Sequence, residues 1–198
     1  DCDPNDWGII NPTAQALIAA FWPGPLTLIV HKRDCVPDEV TGGLATVGLR
    51  MPSHPIAQAL LKEFGSGLAA PSANRFGRIS PTTAMHVSNE FGEDVMVLDG
   101  GSATVGVEST IVDTTTQPPA ILRTGAVVRD QIEALVGPLG QSNTVAPGTL
   151  KSHYAPMTSL LVSSQPEIER ANLEAQGLRV EVLKASEPED YARNLYAE

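Results

Sequence analysis

Leu68-Ala69-Ala70-Pro71-Ser72-Ala73-Asn74 decides how this chain is read, because an apolar run suited to a strand stops abruptly in proline, serine and asparagine. A strand ending this way presents hydroxyl, amide and backbone N–H groups at the mouth of a sheet, where open α/β sheets commonly bind ligands. Working outward, Thr46-Val47-Gly48-Leu49-Arg50-Met51-Pro52 before it and Ile79-Ser80-Pro81-Thr82 after it point to the same mouth. Together the three segments read as an anion or nucleotide site.

At 198 residues the chain suits one good-sized domain, or a domain with a fragment of a second. With 42% apolar and 18% charged residues, an ordered globular protein is expected. The formal net charge of -10 disfavours a general nucleic-acid binder, whose phosphate contacts come from Lys and Arg. Thirteen basic residues, thinly spread, instead suit a small anionic ligand met by one or two local arginines. Cys2 and Cys35 sit in no C-x-x-C or Cys/His cluster and read as free thiols in a reducing cytosol. No apolar run approaches a membrane span and no charged-then-apolar leader opens the chain, so cytoplasmic residence without a membrane partner is expected. Asp1-Cys2-Asp3-Pro4 lacks an initiator Met, which suggests sequence upstream of it.

Asn11-Pro12 reads as a cap and first helical residue for a helix through Phe21, ended by Trp22-Pro23-Gly24-Pro25. Leu26 to His31 reads as a buried strand, Lys32 to Gly43 as a polar loop and Val47 to Met51 as a second strand. Ser53 and Pro55 open a helix through Phe64 with Ile56, Leu60 and Leu61 inward. A strand over Leu68 to Ala70, a helix from Thr82 to Phe91 and a strand over Val95 to Leu98 follow, turned by a hairpin at Asp99-Gly100-Gly101. Strands over Val107 to Val112 and Ala120 to Arg123 and a helix over Arg129 to Val136 complete the first part. Gly137 to Pro156 has no apolar periodicity and reads as a linker. Strands over Leu160 to Val162 and Leu178 to Leu183, alternating with helices near Pro166 to Gln176 and from Pro188, read as the start of a small second α/β domain. The expected boundaries are 1–136, 137–157 and 158–198.

Each candidate residue has a plain structural reading beside its functional one. Arg50 and Arg123 both emerge at strand ends, where a planar guanidinium can grip a carboxylate or phosphate bidentately. Either could also be a surface arginine paired with one of 23 carboxylates. Ser72 and Asn74 could bond a ligand, but Pro-Ser-Ala-Asn is also ordinary turn chemistry. Ser80-Pro81-Thr82 doubles as a helix N-cap and an anion seat. Val107-Glu108-Ser109-Thr110 carries hydroxyls into a strand, where an outward polar position explains them equally. His31, His54, His86 and His153 have no spacing that suggests zinc.

With those residues on the page, the chain resembles the threonylcarbamoyl-AMP synthase family of YrdC-like proteins in its longer two-domain form. The resemblance rests on Phe21-Trp22-Pro23-Gly24-Pro25-Leu26-Thr27, Val47-Gly48-Leu49-Arg50-Met51-Pro52, Pro71-Ser72-Ala73-Asn74, Gly106-Val107-Glu108-Ser109-Thr110 and Ile121-Leu122-Arg123-Thr124-Gly125. It continues into Ala146-Pro147-Gly148-Thr149-Leu150-Lys151-Ser152-His153-Tyr154-Ala155-Pro156, which looks like the linker of the longer form.

The resemblance implies an α/β (α+β) fold, a twisted mixed open sheet with flanking helices around a large concave cavity. It implies an enzyme making threonylcarbamoyl-AMP and pyrophosphate from L-threonine, bicarbonate and ATP, with Mg2+, for threonylcarbamoyl modification of adenosine in tRNA. By residue it implies Arg50, Ala70 and Ser109 around threonine, and Thr46, Ser72, Asn74, Ser80, Arg123 and Tyr154 around ATP. It implies downstream transfer machinery as partner, with tRNA met at most indirectly. The family's Lys-x-Arg motif, from an N-terminal strand-helix unit, has no counterpart before Asp6, and Lys32-Arg33 falls too late to replace it. A second reading is a catalytically impaired nucleotide- or RNA-binding module, double-stranded RNA included, whose RNA version the acidic charge weakens. A third is carbamoyl-adenylate chemistry of hydrogenase maturation, which the linker motif disfavours.

Overall fold

A computed structural model describes residues 3–142, 158–183 and 187–196. The backbone divides into two units, Asp1–Ser72 with Glu108–Lys151, and Ala73–Val107 with Ser152–Glu198.

The first unit is built on strand β2 (Leu26–Lys32), whose Leu26, Leu28 and Val30 are buried while Thr27, Ile29 and His31 face the other way. β2 pairs antiparallel with β1 (Gly8–Ile9) and β3 (Thr46–Leu49) and parallel with β4 (Thr110–Asp113), which pairs antiparallel with β5 (Ala120–Arg123). The result is an open mixed sheet of five strands. Helix α1 (Pro12–Phe21) starts where expected: Asn11 Oδ1 accepts from Ala14 N at 2.8 Å, and its Nδ2 donates to Thr114 O, tying the cap to the end of β4. Ala14 and Leu17 of α1 and Ile132 of α5 (Arg129–Val136) close over Leu26, Leu28, Val30 and Val112 as the core. Each fully buried leucine or isoleucine there contributes about 1.5–3 kcal/mol.

Several expected elements differ. Lys32 ends β2, and a short helix, α2 (Asp38–Thr41), lies inside the expected polar loop, with Lys32 Nζ bonded to Val36 O and paired with Asp38. Arg33 Nε donates to Asn5 O, so this basic pair serves the loop. Helix α3 (Pro55–Phe64) is capped by His54, not Ser53, because Pro55 takes the first helical position and His54 Nδ1 accepts from Ile56 N. Its Ile56 and Leu60, expected inward, are exposed, and only Leu61 of the three is half-buried. Leu68 to Ala70 is not a strand: the run is exposed and no neighbouring strand among the described residues supplies the pairing that would make it one.

In the second unit, helix α4 (Ala84–Phe91) begins later than expected, with Thr83 rather than Ser80 as its cap; Thr83 Oγ1 accepts from His86 N at 3.3 Å. Val95 to Leu98 pairs with no strand among the described residues, so Asp99-Gly100-Gly101 is no hairpin; Asp99 Oδ1 instead accepts from Gly101 N in a local turn. Helices α6 (Pro166–Ala175) and α7 (Pro188–Asn194) form as expected. Leu160 to Val162 and Leu178 to Leu183 do not form strands; Leu160, Leu161, Val162 and Leu178 are exposed, with no ladder among the described residues.

Candidate functional site

The sheet's second face, opposite α1 and α5, carries several of the candidate polar residues. Register places Thr27 beside Ile111, and Ser109 lies two residues before Ile111 on the same face. Thr46 pairs with His31, and Gly48 with Ile29, so both belong to this face too. Arg123 reaches it through an irregularity. Val112 pairs with Ile121 but Ile111 pairs with Arg123, leaving Leu122 as an extra residue on β5. Strict alternation from the core-packed Ile121 would turn Arg123 into the core; the bulge returns it to the polar face.

There Arg123 holds the Ser109 peptide with two donors, Nε and Nη2, at 3.0 and 2.9 Å from Ser109 O. Nη2 also donates to Ser109 Oγ at 3.1 Å, and Ser109 Oγ lies 2.7 Å from Thr27 Oγ1. The loop carrying this cluster is packed too closely for any side chain at Gly125. A Cβ there would stand 2.3 Å from Glu108 O and 2.5 Å from Thr110 N. Thr110, buried, donates from Oγ1 to Val127 O and accepts from Val127 N, which locks the other side of the same segment.

Arg50, one residue beyond β3, is held by the Trp-Pro-Gly-Pro segment. Its Nε donates to Gly24 O at 3.0 Å, while Gly24 N donates to Met51 O at 2.9 Å. Gly24 is required by close approach, since a Cβ would meet Phe21 O at 2.2 Å. Pro25 O accepts from Thr110 N at 3.1 Å, so this segment braces both the Arg50 and the Ser109 sides. Arg50 is exposed as a residue, yet partial desolvation of its guanidinium, and secondarily the charge of Arg123, push its pKa down from the ordinary arginine value. Where the like charge of Arg123 is near enough to be felt at Arg50, a bound anion would relieve the repulsion.

The structure thus brings Arg50, Ser109 and Arg123 together and adds Thr27 and Gly24, which the sequence reading passed over. Both lie in the Phe-Trp-Pro-Gly-Pro-Leu-Thr string, which reads most simply as a helix stop followed by a strand. Thr46 shares the face but stands four residues along β3 from Arg50, about 13 Å at strand rise. Ala70 and Ser72 are exposed in the unpaired run that ends the first segment of this unit.

The second unit holds two further candidates. Asn74 Nδ2 donates to Arg75 O and Arg78 O at 3.1 and 3.0 Å, which turns its Oδ1 to a buried position with no partner among the described residues. A buried acceptor left so costs about 1–3 kcal/mol unless a donor reaches it. Ser80 is half-buried in the segment before Thr82, whose N–H donates to His86 Nδ1 at 3.2 Å. Tyr154 lies outside the described residues. No group of three His, Cys, Asp or Glu side chains gathers among the described residues, and no described helix is long and apolar enough to cross a membrane.

Comparison with known proteins adds relatives to this geometry. The family model Sua5_yciO_yrdC, described as "Telomere recombination", matches residues 6–125, and Sua5_C, described as "Threonylcarbamoyl-AMP synthase, C-terminal domain", matches residues 127–198. Threonylcarbamoyl-AMP synthase of Pyrococcus abyssi (strain GE5 / Orsay) is 42% identical over 167 residues, 79% of this chain and 49% of the relative. That of Bacillus subtilis (strain 168) is 42% identical over 188 residues, 88% of this chain and 54% of the relative. The chain therefore spans about half the length of these curated relatives. The crystal structure of P. abyssi Sua5 complexed with L-threonine matches with a TM-score of 0.82 at 35% identity, over 96% of this chain and 64% of that one. Escherichia coli YciO, 23% identical with a TM-score of 0.57, shares the fold.

Proposed function

Because the chain belongs to the Sua5/YciO/YrdC family and carries its Sua5-type C-terminal domain, we propose that it serves the synthesis of threonylcarbamoyl-AMP from L-threonine, bicarbonate and ATP. The observation that carries this reading is Arg123 bonded to the buried Ser109 hydroxyl and peptide, with the Arg50 guanidinium close enough to feel its charge, in a chain of net charge -10. Such a cluster suits a small molecule with a carboxylate. A related protein, P. abyssi Sua5, is known in complex with L-threonine.

In this reading Arg50 and Ser109 take the amino acid, with the Ala70 backbone beside them. Arg123 serves ATP and, through its bonds to Ser109, supports the amino-acid side. Thr46, Ser72, Asn74, Ser80 and Tyr154 serve ATP; the orphaned Asn74 Oδ1 suits a nucleotide N–H donor. The amine of threonine and bicarbonate combine to a carbamate with loss of water. A carbamate oxygen then attacks the α-phosphorus and pyrophosphate leaves. Guanidiniums and hydroxyls contribute position and charge stabilisation to such a displacement, without a covalent nucleophile. The described residues offer no all-protein metal cage, so an Mg2+ would arrive on the nucleotide phosphates, where it neutralises their charge. The organisation that goes with this reading is a catalytic domain over 1–136, a linker over 137–157 and part of a C-terminal α/β domain over 158–198. The product would pass to machinery that transfers the threonylcarbamoyl group to tRNA.

The test is pyrophosphate release from ATP by the chain. Release that requires both L-threonine and bicarbonate supports the reading; release independent of threonine overturns it.

A further inference from the structure

We propose that Thr27 is a positioning residue for the ligand-binding hydroxyl of Ser109; the inference rests on the reading just given for Ser109. A serine hydroxyl has one donor and two acceptor positions. At Ser109 Oγ, Arg123 Nη2 fills one acceptor position at 3.1 Å, and Thr27 Oγ1, 2.7 Å away, fills a second position whichever oxygen donates. One position remains, and because the other two are fixed by β2 and β5, its direction is fixed as well. Without Thr27 the hydroxyl would turn about its Cα–Cβ bond with only Arg123 to hold it.

The surroundings make Thr27 a firm support. It lies on the hub strand, its neighbours Leu26 and Leu28 are fully buried, and its ladder partner across the sheet is Ile111, two residues from Ser109. Gly48 on the opposite strand adds no side chain; a Cβ there would reach the Thr27 methyl at 3.4 Å. The hydroxyl is directed at Ser109, and the β-branched side chain has few χ1 alternatives in a strand. A valine here keeps the shape and removes the contact.

The experiment is calorimetric binding of L-threonine and, separately, of ATP to the 198-residue chain and to Thr27→Val, Thr27→Ser, Ser109→Ala and the Thr27→Val/Ser109→Ala double variant, with thermal unfolding of each. Loss of one hydrogen bond in a desolvated site predicts that Thr27→Val weakens threonine about tenfold. Thr27→Ser should restore affinity to within about twofold, and the double variant should lose no more than Ser109→Ala alone. ATP affinity and melting temperature should be unchanged in Thr27→Val. Threonine binding by Thr27→Val equal to that of the unaltered chain overturns the role of Thr27. So does an additive double variant, or equal weakening of ATP and threonine. Absence of threonine binding by the unaltered chain overturns instead the function proposed for Ser109, and this inference with it.

Discussion

Among single residues, Arg123 has the largest consequences. Its two-donor grip on Ser109 O ties the cation proposed for the nucleotide to the residue proposed for the amino acid. Arg123→Ala is therefore expected to weaken both ligands, whereas Arg50→Ala should weaken L-threonine chiefly, by about tenfold to a hundredfold for a lost charged hydrogen bond. Calorimetry with each ligand separates the two; selective loss of ATP in Arg123→Ala contradicts the coupling. Both arginines were legible in the sequence as strand-end cations in an acidic chain. Thr27 was not, because a threonine in a strand is explained by β-propensity alone, and only the register of β2 against β4 brings it to Ser109.

The elements show why position along a strand does not settle which face a side chain takes. β5 was legible from Ala120 to Arg123, yet the extra residue at Leu122 decides that Arg123 meets Ser109 rather than the core. Gly125 keeps that corner in place. Gly125→Ala should cost about 1–3 kcal/mol by overpacking against backbone, read from the denaturation midpoint, and should weaken L-threonine binding in parallel; an unchanged midpoint would show that the corner can open freely. Helices were read well because caps and prolines mark them locally, as at Asn11-Pro12. The expected strands at Leu68 to Ala70, Val95 to Leu98, Leu160 to Val162 and Leu178 to Leu183 failed because pairing is not a local property. In α5, Glu133 accepts from Arg129 and from Leu139 N, and these bonds, that from Arg129 first, hold its carboxyl below the ordinary glutamate range. A lowered folded pKa gives stability that is complete above the unfolded pKa and is lost as pH falls through the folded one. The protection of the Leu139 amide, its exchange taken against the intrinsic rate at each pH, should fall as pH drops below the ordinary glutamate value of 4.5 and through the lowered folded one, while Glu133→Ala should lack that protection throughout. Equal protection in the two proteins at neutral pH would contradict this anchor.

At the scale of the whole molecule, the acidic surplus and the two arginines belong together. A net charge of -10 repels polyanions at long range, while a local cationic pair accepts a small anion where the screening length is about 8–10 Å. The fold class was legible through the motifs that carry the family resemblance, but the separation of Asn74 and Ser80 into a second unit was not. The account stands on one claim, that the Arg50–Ser109–Arg123 face takes L-threonine for carbamoylation and adenylation. Its most direct test supplies 13C-bicarbonate, ATP and L-threonine to the chain and to Arg50→Ala, and follows the labelled carbon by mass spectrometry. The account predicts label in a species containing both threonine and AMP, greatly reduced in Arg50→Ala. Label absent from any such species, or undiminished in the variant, would contradict it.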